Sequence, residues 1–273
     1  MTELNLKETL VSNRGADKSP VMECKALGID FGGLTAVDDF NLTVFPNEIA
    51  GLIGPNGAGK TTVFNLLTKV YKPTRGEIFL NGRNTKGMNT VKVNKAGIGR
   101  TFQNIRLFKQ MTVLENVLVG LHNDMNYTLG GAILRLPAYW HQERIAKERA
   151  LDLLSIFNMQ DDANRKAGSL PYGSQRRLEI VRALATNPVI LLLDEPAAGM
   201  NPSETGELME TIRKIRDTFQ ISILLIEHDM HLVMSICEKI TVLNYGRIIA
   251  KGTPEEIRND PHVIEAYLGK ERG

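Results

Sequence analysis

Cysteine is nearly missing from this 273-residue chain: Cys24 and Cys237 stand far apart, in neither a redox nor a metal-ligand spacing. A disulfide framework is therefore not expected, and both read as reduced core thiols of a cytosolic protein. A surplus of one charge is missing too. With 33 Lys and Arg against 31 Asp and Glu, the formal net charge is +2, which leaves no broad electrostatic footprint for nucleic acid. Long apolar runs are also lacking; the longest, at 189–193 and 221–226, fall far short of the roughly 20 residues that span a bilayer. Any membrane role is expected to be peripheral. The chain does not open with a basic stretch followed by an apolar one, so no signal peptide is expected. What is present, 42% hydrophobic and 23% charged residues, suits one large domain or a core with a subdomain.

The periodicity divides the chain. Residues 1–20 show little pattern and read as a flexible tail ahead of a domain over 21–273. Residues 22–31 (MECKALGIDF) and 36–45 (AVDDFNLTVF) alternate as strands do, Pro46-Asn47 makes a turn, and 48–53 (EIAGLI) is a short apolar strand. Residues 61–70 (TTVFNLLTKV) place Val63, Leu66, Leu67 and Val70 at helical spacing. A turn at 73–76 precedes a strand, EIFLNG. The stretch 105–185 differs: 111–121, 143–157 and 175–185 are helical patterns joined by polar linkers, predicting a helical subdomain inserted into an α/β core formed by 21–104 and 186–273. Strands return at 189–193, 221–226 and 240–244, with a helix over 204–219. That alternation predicts βα units and a largely parallel, covered sheet. Thr253-Pro254-Glu255-Glu256 is a capping box with proline at the first helical position.

Between the strand at 48–53 and the helix at 61–70 lies GPNGAGKT. It fits G-x-x-x-x-G-K-[ST] at Gly54, Gly59, Lys60 and Thr61, in the strand–loop–helix context the motif needs. Glycines let successive backbone N–H groups curl around phosphate oxygens with no Cβ in the way. The helix that follows turns its partial positive charge to the same anion. Lys60 adds a full charge at the β/γ-phosphates, and the Thr61 hydroxyl is offered to Mg²⁺. A mere connecting turn would match these four positions by chance on the order of 1 time in 100. Gly54, Pro55, Asn56, Gly57, Ala58, Gly59, Lys60, Thr61 and Thr62 are therefore the candidate ATP contacts. The apolar run 189–193 ends in Asp194-Glu195, which predicts Asp194 in the Mg²⁺ shell and Glu195 handling the attacking water. A solvated acidic turn is the plainer reading of those two carboxylates taken alone.

With these residues the chain resembles the ATP-binding-cassette family of transporter ATPases, from about residue 22 to about 268. RTFQ at 100–103 looks like the Q-loop, and the resemblance implies that Gln103 reaches Mg²⁺ and senses the γ-phosphate. LPYGSQRR at 170–177 looks like the signature LSGGQ, LLLDEPAAGMNP at 191–202 contains a D-loop-like turn at 198–201, and IEHDM at 226–230 supplies His228 as the switch histidine. The resemblance further implies that Phe31, just ahead of Gly32-Gly33, stacks on adenine. Taken singly, Gln103 would be a surface glutamine, His228 a structural histidine and Phe31 a core residue. The signature departs from the pattern. With Gly173 aligned to the second glycine, Pro171 replaces the serine, Tyr172 the first glycine and Ser174 the glutamine. Pro171 has neither hydroxyl nor N–H, whereas Gly173, and Ser174 where a helix is expected to start, still offer backbone N–H groups to an anion. Asn201, where the family often has aspartate, can hydrogen-bond but carries no charge.

The resemblance implies a P-loop NTPase (RecA-like) core with an antiparallel β subdomain and the inserted helical subdomain. It also implies a head-to-tail dimer holding two ATP molecules, with Lys60, Glu195 and His228 as the catalytic set and Thr61, Gln103 and Asp194 around Mg²⁺. Within the family, GRTFQNIRLFKQMTVLENVLVG, DEPAAGMNPSET, FGGLTAVDDFNLTV and VIEAYLG are similar to ATP-binding subunits of branched-chain amino acid importers. The segment 121–143, with Gly130-Gly131, Pro137 and Trp140, resembles an insertion common in that group; simple packing by Trp140 is the competing reading. Implied partners are two membrane permease subunits, a second cassette (identical or closely related) and an extracytoplasmic amino acid binding protein, with no nucleic acid. The implied place is the cytoplasmic face of the inner membrane. Cassettes for urea, amides or other amino acids are similar, and a lipopolysaccharide-type exporter cassette shares the C-terminal pattern. Soluble cassettes of DNA repair or translation usually carry coiled-coil insertions or two cassettes per chain, and this chain has neither. An adenylate-type kinase would lack LPYGSQRR and the His228 strand end.

Overall fold

Apolar strands that end in glycine or carboxylate residues build the centre of the molecule. The computed structural model describes residues 19–122 and 137–268. The expected tail over 1–18 and the Gly130-Gly131 pair lie outside the described residues. Of the described residues, 104–188 form one compact unit, and 19–103 with 189–268 form the other.

The larger unit contains two sheets. The first has the order β2-β1-β4-β5, formed by β1 (Met22–Phe31), β2 (Leu34–Val44), β4 (Arg75–Leu80) and β5 (Arg83–Asn84), with antiparallel neighbours throughout. The second has the order β10-β9-β3-β8-β7-β6. Its members are β3 (Ile49–Ile53), β6 (Ile98–Arg100), β7 (Ile190–Asp194), β8 (Ser222–Ile226), β9 (Lys239–Asn244) and β10 (Arg247–Gly252). Every pairing in it is parallel except β9 with β10. This is the mixed α/β architecture expected from the alternation of strands and helices. Every residue of β3, β7 and β8 is buried, as parallel strands covered on both faces must be.

Helix α1 (Lys60–Leu67) follows β3 and lays Val63, Phe64, Leu66 and Leu67 into a core shared with both sheets, including Leu27, Phe40, Ile78, Leu192 and Leu224. It stops at Thr68, whose hydroxyl donates to Phe64 O, and Lys69 then turns to φ 58. Val70, assigned to the helical stripe by spacing, is consequently 52% exposed. The short elements α2 (Thr90–Lys95) and β6 escaped the sequence reading because each is too short for its hydrophobic period to repeat convincingly. On the C-terminal side stand α6 (Pro202–Phe219), α7 (Met230–Ile236), α8 (Pro254–Asn259) and α9 (Pro261–Leu268). Thr253 and Glu256 form the capping box expected at α8.

The smaller unit consists mainly of α3 (Val113–Leu121), α4 (Pro137–Ile156) and α5 (Tyr172–Leu184). Helix α3 starts at a Thr112–Glu115 capping box and packs on both α4 and α5. Gly120 permits the close approach: a Cβ there would meet Arg182 O at 2.5 Å. Arg176 is fully buried and pairs with Glu179 at 2.8 Å. Trp140 is 56% exposed on α4.

Candidate functional site

Sheet order brings the chemistry together. Because β3, β8 and β7 are adjacent and parallel, their carboxyl ends present Gly54, Glu227-His228 and Asp194-Glu195 along one edge. Ligands of open α/β sheets bind outside such strand ends.

The loop after β3 is shaped by its glycines. Gly54 takes φ 151, Gly57 φ 79 and Gly59 φ 106, the half-plane in which side chains are strained. At Gly54 a Cβ would also lie 2.0 Å from Leu243 O of β9, so glycine is needed for space as well as conformation. Gly54→Ala is expected to destabilise the chain by about 1–3 kcal/mol, read from denaturant unfolding; an unchanged midpoint would mean that the β9 carbonyl moves aside freely. Gly59 is the N-cap of α1 and no side chain caps that helix, so its first-turn N–H groups are left to the loop. Lys60 is only 6% exposed, and its Nζ donates to Gly54 O at 2.7 Å and Pro55 O at 3.0 Å. The loop thus wraps its own ammonium. Thr61 is exposed and Thr62 half-buried beside it.

Asp194 ends β7 at 3% exposure, and its Oδ2 accepts from Arg100 Nη2 at 2.9 Å. Arg100 Nη1 donates to Asn65 Oδ1 at 2.8 Å and to Thr68 Oγ1 at 3.1 Å, both near the end of α1. The guanidinium also lies over the Phe64 and Phe102 rings, 5.6 and 5.1 Å from their centroids. One arginine therefore ties β6, α1 and the carboxylate together. Sequence reasoning missed it, since the partners are 94 residues apart.

Glu195 has φ 46, an uncommon backbone conformation for a residue with a long side chain. Its N–H donates to Ile226 O at 2.9 Å, tying the β7 and β8 ends together. Gln103 Nε2 donates to Glu195 Oε2 at 2.7 Å, and His228 Nδ1 lies 3.9 Å from the same oxygen. Gln103, Glu195 and His228 thus converge, with the imidazole largely exposed. Beneath them, Glu227 is fully buried. Its Oε1 accepts from Ala197 N at 2.8 Å and its Oε2 from His228 N at 3.1 Å. Burial pushes the Glu227 carboxyl above its ordinary range, while the Ala197, His228 and Asp229 N–H groups pull it back. Sequence reasoning missed Glu227 because it reads as the polar neighbour of His228; its signal was a carboxylate directly after five buried strand residues.

Phe31 ends β1 at 45% exposure, with its ring edge-on to Tyr71, centroids 5.2 Å apart at 76°. It is a surface platform and not a core residue. Asn201 caps α6: its Oδ1 accepts from Glu204 N at 3.0 Å. In the smaller unit, α5 begins at Tyr172, two residues before the expected Ser174. Pro171 is its N-cap and provides no side-chain cap, and the first backbone bond closing the helix is Gln175 N to Pro171 O at 2.9 Å. Gly173 and Ser174 therefore lie inside the first turn, ahead of that bond.

The chain is similar to known proteins over most of its length. The ABC transporter family matches residues 37–198, and the branched-chain amino acid ATP-binding cassette transporter family matches 247–272. The chain is 51% identical over 251 residues to the high-affinity branched-chain amino acid transport ATP-binding protein BraF of Pseudomonas aeruginosa, covering 92% of this chain and 98% of that one. A crystal structure of the ADP conformation of an ATP-binding cassette of an ABC transporter superimposes with a TM-score of 0.80 at 30% identity, covering 92% of this chain and 99% of that one. A dimeric post-hydrolysis cassette bound to ADP and Pi gives 0.71 at 26% identity, covering 85% and 98%.

Proposed function

Because the chain belongs to the ATP-binding-cassette family of transporters, in its branched-chain amino acid branch, we propose that it is the ATP-hydrolysing subunit powering import of branched-chain amino acids through two membrane permease subunits. The observation that carries the proposal is the convergence of Gln103 and His228 on Glu195, in a sheet whose adjacent strand β3 leads into the Lys60 loop. The loop N–H groups and Lys60 cradle the phosphate chain. Phe31 offers its exposed face to the adenine. Thr61, Gln103 and Asp194 are hard oxygen donors that fit Mg²⁺ and would hold it; when bound, the ion neutralises charge on the β- and γ-phosphates. Glu195 orients a water and accepts its proton, and His228 holds the γ-phosphate in place. Lys60 moves from its own loop carbonyls to phosphate oxygens, exchanging neutral acceptors for charged ones.

A second cassette, identical or closely related, completes each site. Gly173 and Ser174 at the start of α5 serve the opposite subunit's γ-phosphate by backbone N–H, since Pro171 brings no hydroxyl. The relative bound to ADP and Pi is itself dimeric, which supports this pairing. Nucleotide-dependent closing and opening of such a pair gives the permeases two states. Among the described residues no helix is long and apolar enough to cross a membrane. We place the subunit at the cytoplasmic face of the inner membrane, linked only through the permeases to an extracytoplasmic amino acid binding protein.

Lys60→Ala tests the core of the reading. Its loss is expected to weaken ATP binding by at least about tenfold, in line with charge-assisted hydrogen bonds of about 1.5–3 kcal/mol, measured by nucleotide titration. Unchanged affinity would reject the assignment of the loop.

A further inference from the structure

Two of the oxygen donors proposed for Mg²⁺ belong to different elements: the Thr61 hydroxyl lies in the first turn of α1, and the Asp194 carboxylate ends β7. An ion held by both requires them at one fixed separation. Arg100 of β6 is bonded to both elements. Thr61, Asn65 and Thr68 follow one another at four and three residues, so they fall on one stripe of α1 and its C-cap. Arg100 Nη1 donates to Asn65 Oδ1 at 2.8 Å and Thr68 Oγ1 at 3.1 Å, and Nη2 donates to Asp194 Oδ2 at 2.9 Å. One side of the guanidinium thus holds the stripe that carries Thr61, and the other holds the carboxylate.

Neither partner has much freedom to swing. The Arg100 side chain is 8% exposed and lies over the Phe64 and Phe102 rings. Asp194 is fixed at its backbone as well, where its N–H donates to Thr101 Oγ1 at 3.4 Å. Of the two carboxylate oxygens, Oδ2 is the one that Arg100 takes; Oδ1 accepts from none of the described residues. Partners that hydrogen-bond a metal ligand from behind orient it, and they weigh heavily in metal affinity.

We propose that Arg100 is a positioning residue for the divalent ion: its planar fork registers Asp194 against the α1 stripe that includes Thr61 and reserves Oδ1 for the metal. Charge alone does not achieve this. Two nitrogens of the fork bond in two directions, whereas a lysine carries one nitrogen on a flexible stem, free to move between both carboxylate oxygens. The inference rests on Thr61 and Asp194 being ligands of the Mg²⁺ that accompanies ATP.

Arg100→Lys keeps the charge beside Asp194 and removes the fork. In the full chain, with a non-hydrolysable ATP analogue bound, Mn²⁺ in place of Mg²⁺ lets electron paramagnetic resonance read the ion directly. Its dissociation constant is expected to rise at least about tenfold, the usual cost of losing such a partner. Affinity for the analogue in EDTA stays within about twofold, because the loop N–H groups are untouched. Asn65→Ala leaves the ion pair and takes away one anchor; it raises the Mn²⁺ constant about threefold, the scale of one hydrogen bond, and decides the matter should Arg100→Lys not fold. A wild-type Mn²⁺ constant in the folded variant overturns the inference and leaves Arg100 a tie of the fold alone. An equal loss of analogue affinity in EDTA overturns it too, as general distortion of the site. If Asp194→Asn leaves the Mn²⁺ constant unchanged, the carboxylate is no ligand, and the Mg²⁺ assignment falls together with the inference. An effect of Asp194→Asn without one of Arg100→Lys removes only the role of Arg100.

Discussion

Glu195→Gln is expected to lower ATP turnover by about three orders of magnitude, within the range for losing a general base, and to let an ATP-loaded pair of cassettes accumulate. The substitution is isosteric, and the new carboxamide oxygen can still accept from Gln103, which now reaches Glu195 at 2.7 Å. The backbone at φ 46, tied to Ile226 O, also has no reason to relax. What disappears is the negative charge that, in the proposed role, orients a water and takes its proton. Binding is therefore retained and cleavage fails, which is why closed dimers build up. Phosphate release by the purified protein, alongside size measurement in saturating Mg·ATP, checks both halves. Turnover within tenfold of wild type would remove Glu195 from its role.

Arg100→Met destabilises the fold by about 3–5 kcal/mol, the usual cost of stripping one partner from a buried ion pair. The Arg100 and Asp194 side chains are 8% and 5% exposed, so solvent screens the pair little. Removing the guanidinium abandons a carboxylate at the end of a fully buried strand, and also the bonds to Asn65 and Thr68 that hold the end of α1. Methionine replaces the volume but none of the donors. Adding Asp194→Asn to this background is expected to recover part of the loss, because a neutral amide is cheaper to bury than an unpaired charge. Denaturant unfolding of the two single variants and the double variant measures the coupling. A loss under about 1 kcal/mol in Arg100→Met would place the pair among weakly contributing surface bridges.

The contrast between these two residues explains what could be read without coordinates. The glycine loop between β3 and α1 was legible because its requirements are local: glycines at fixed offsets, one lysine, a strand before and a helix after. Asp194-Glu195 and His228 were legible as polar residues ending apolar strands, and the parallel sheet makes such ends neighbours. Arg100 was not, since a three-residue strand has no period and its partner lies far along the chain. Helix boundaries failed where tertiary contacts overrule periodicity, as at Lys69 with φ 58 and at Tyr172, which begins α5 straight after proline.

Glu227 has one remaining consequence. Its two oxygens grip Ala197 N, just before the Ala198–Asn201 turn, and His228 N, at the site itself. The carboxylate is a rivet between two levers. Moving either N–H away would leave a buried carboxyl oxygen without its donor, so one side chain holds the two segments together. A shift of the His228 backbone is therefore expected to reach the 198–201 turn through Glu227.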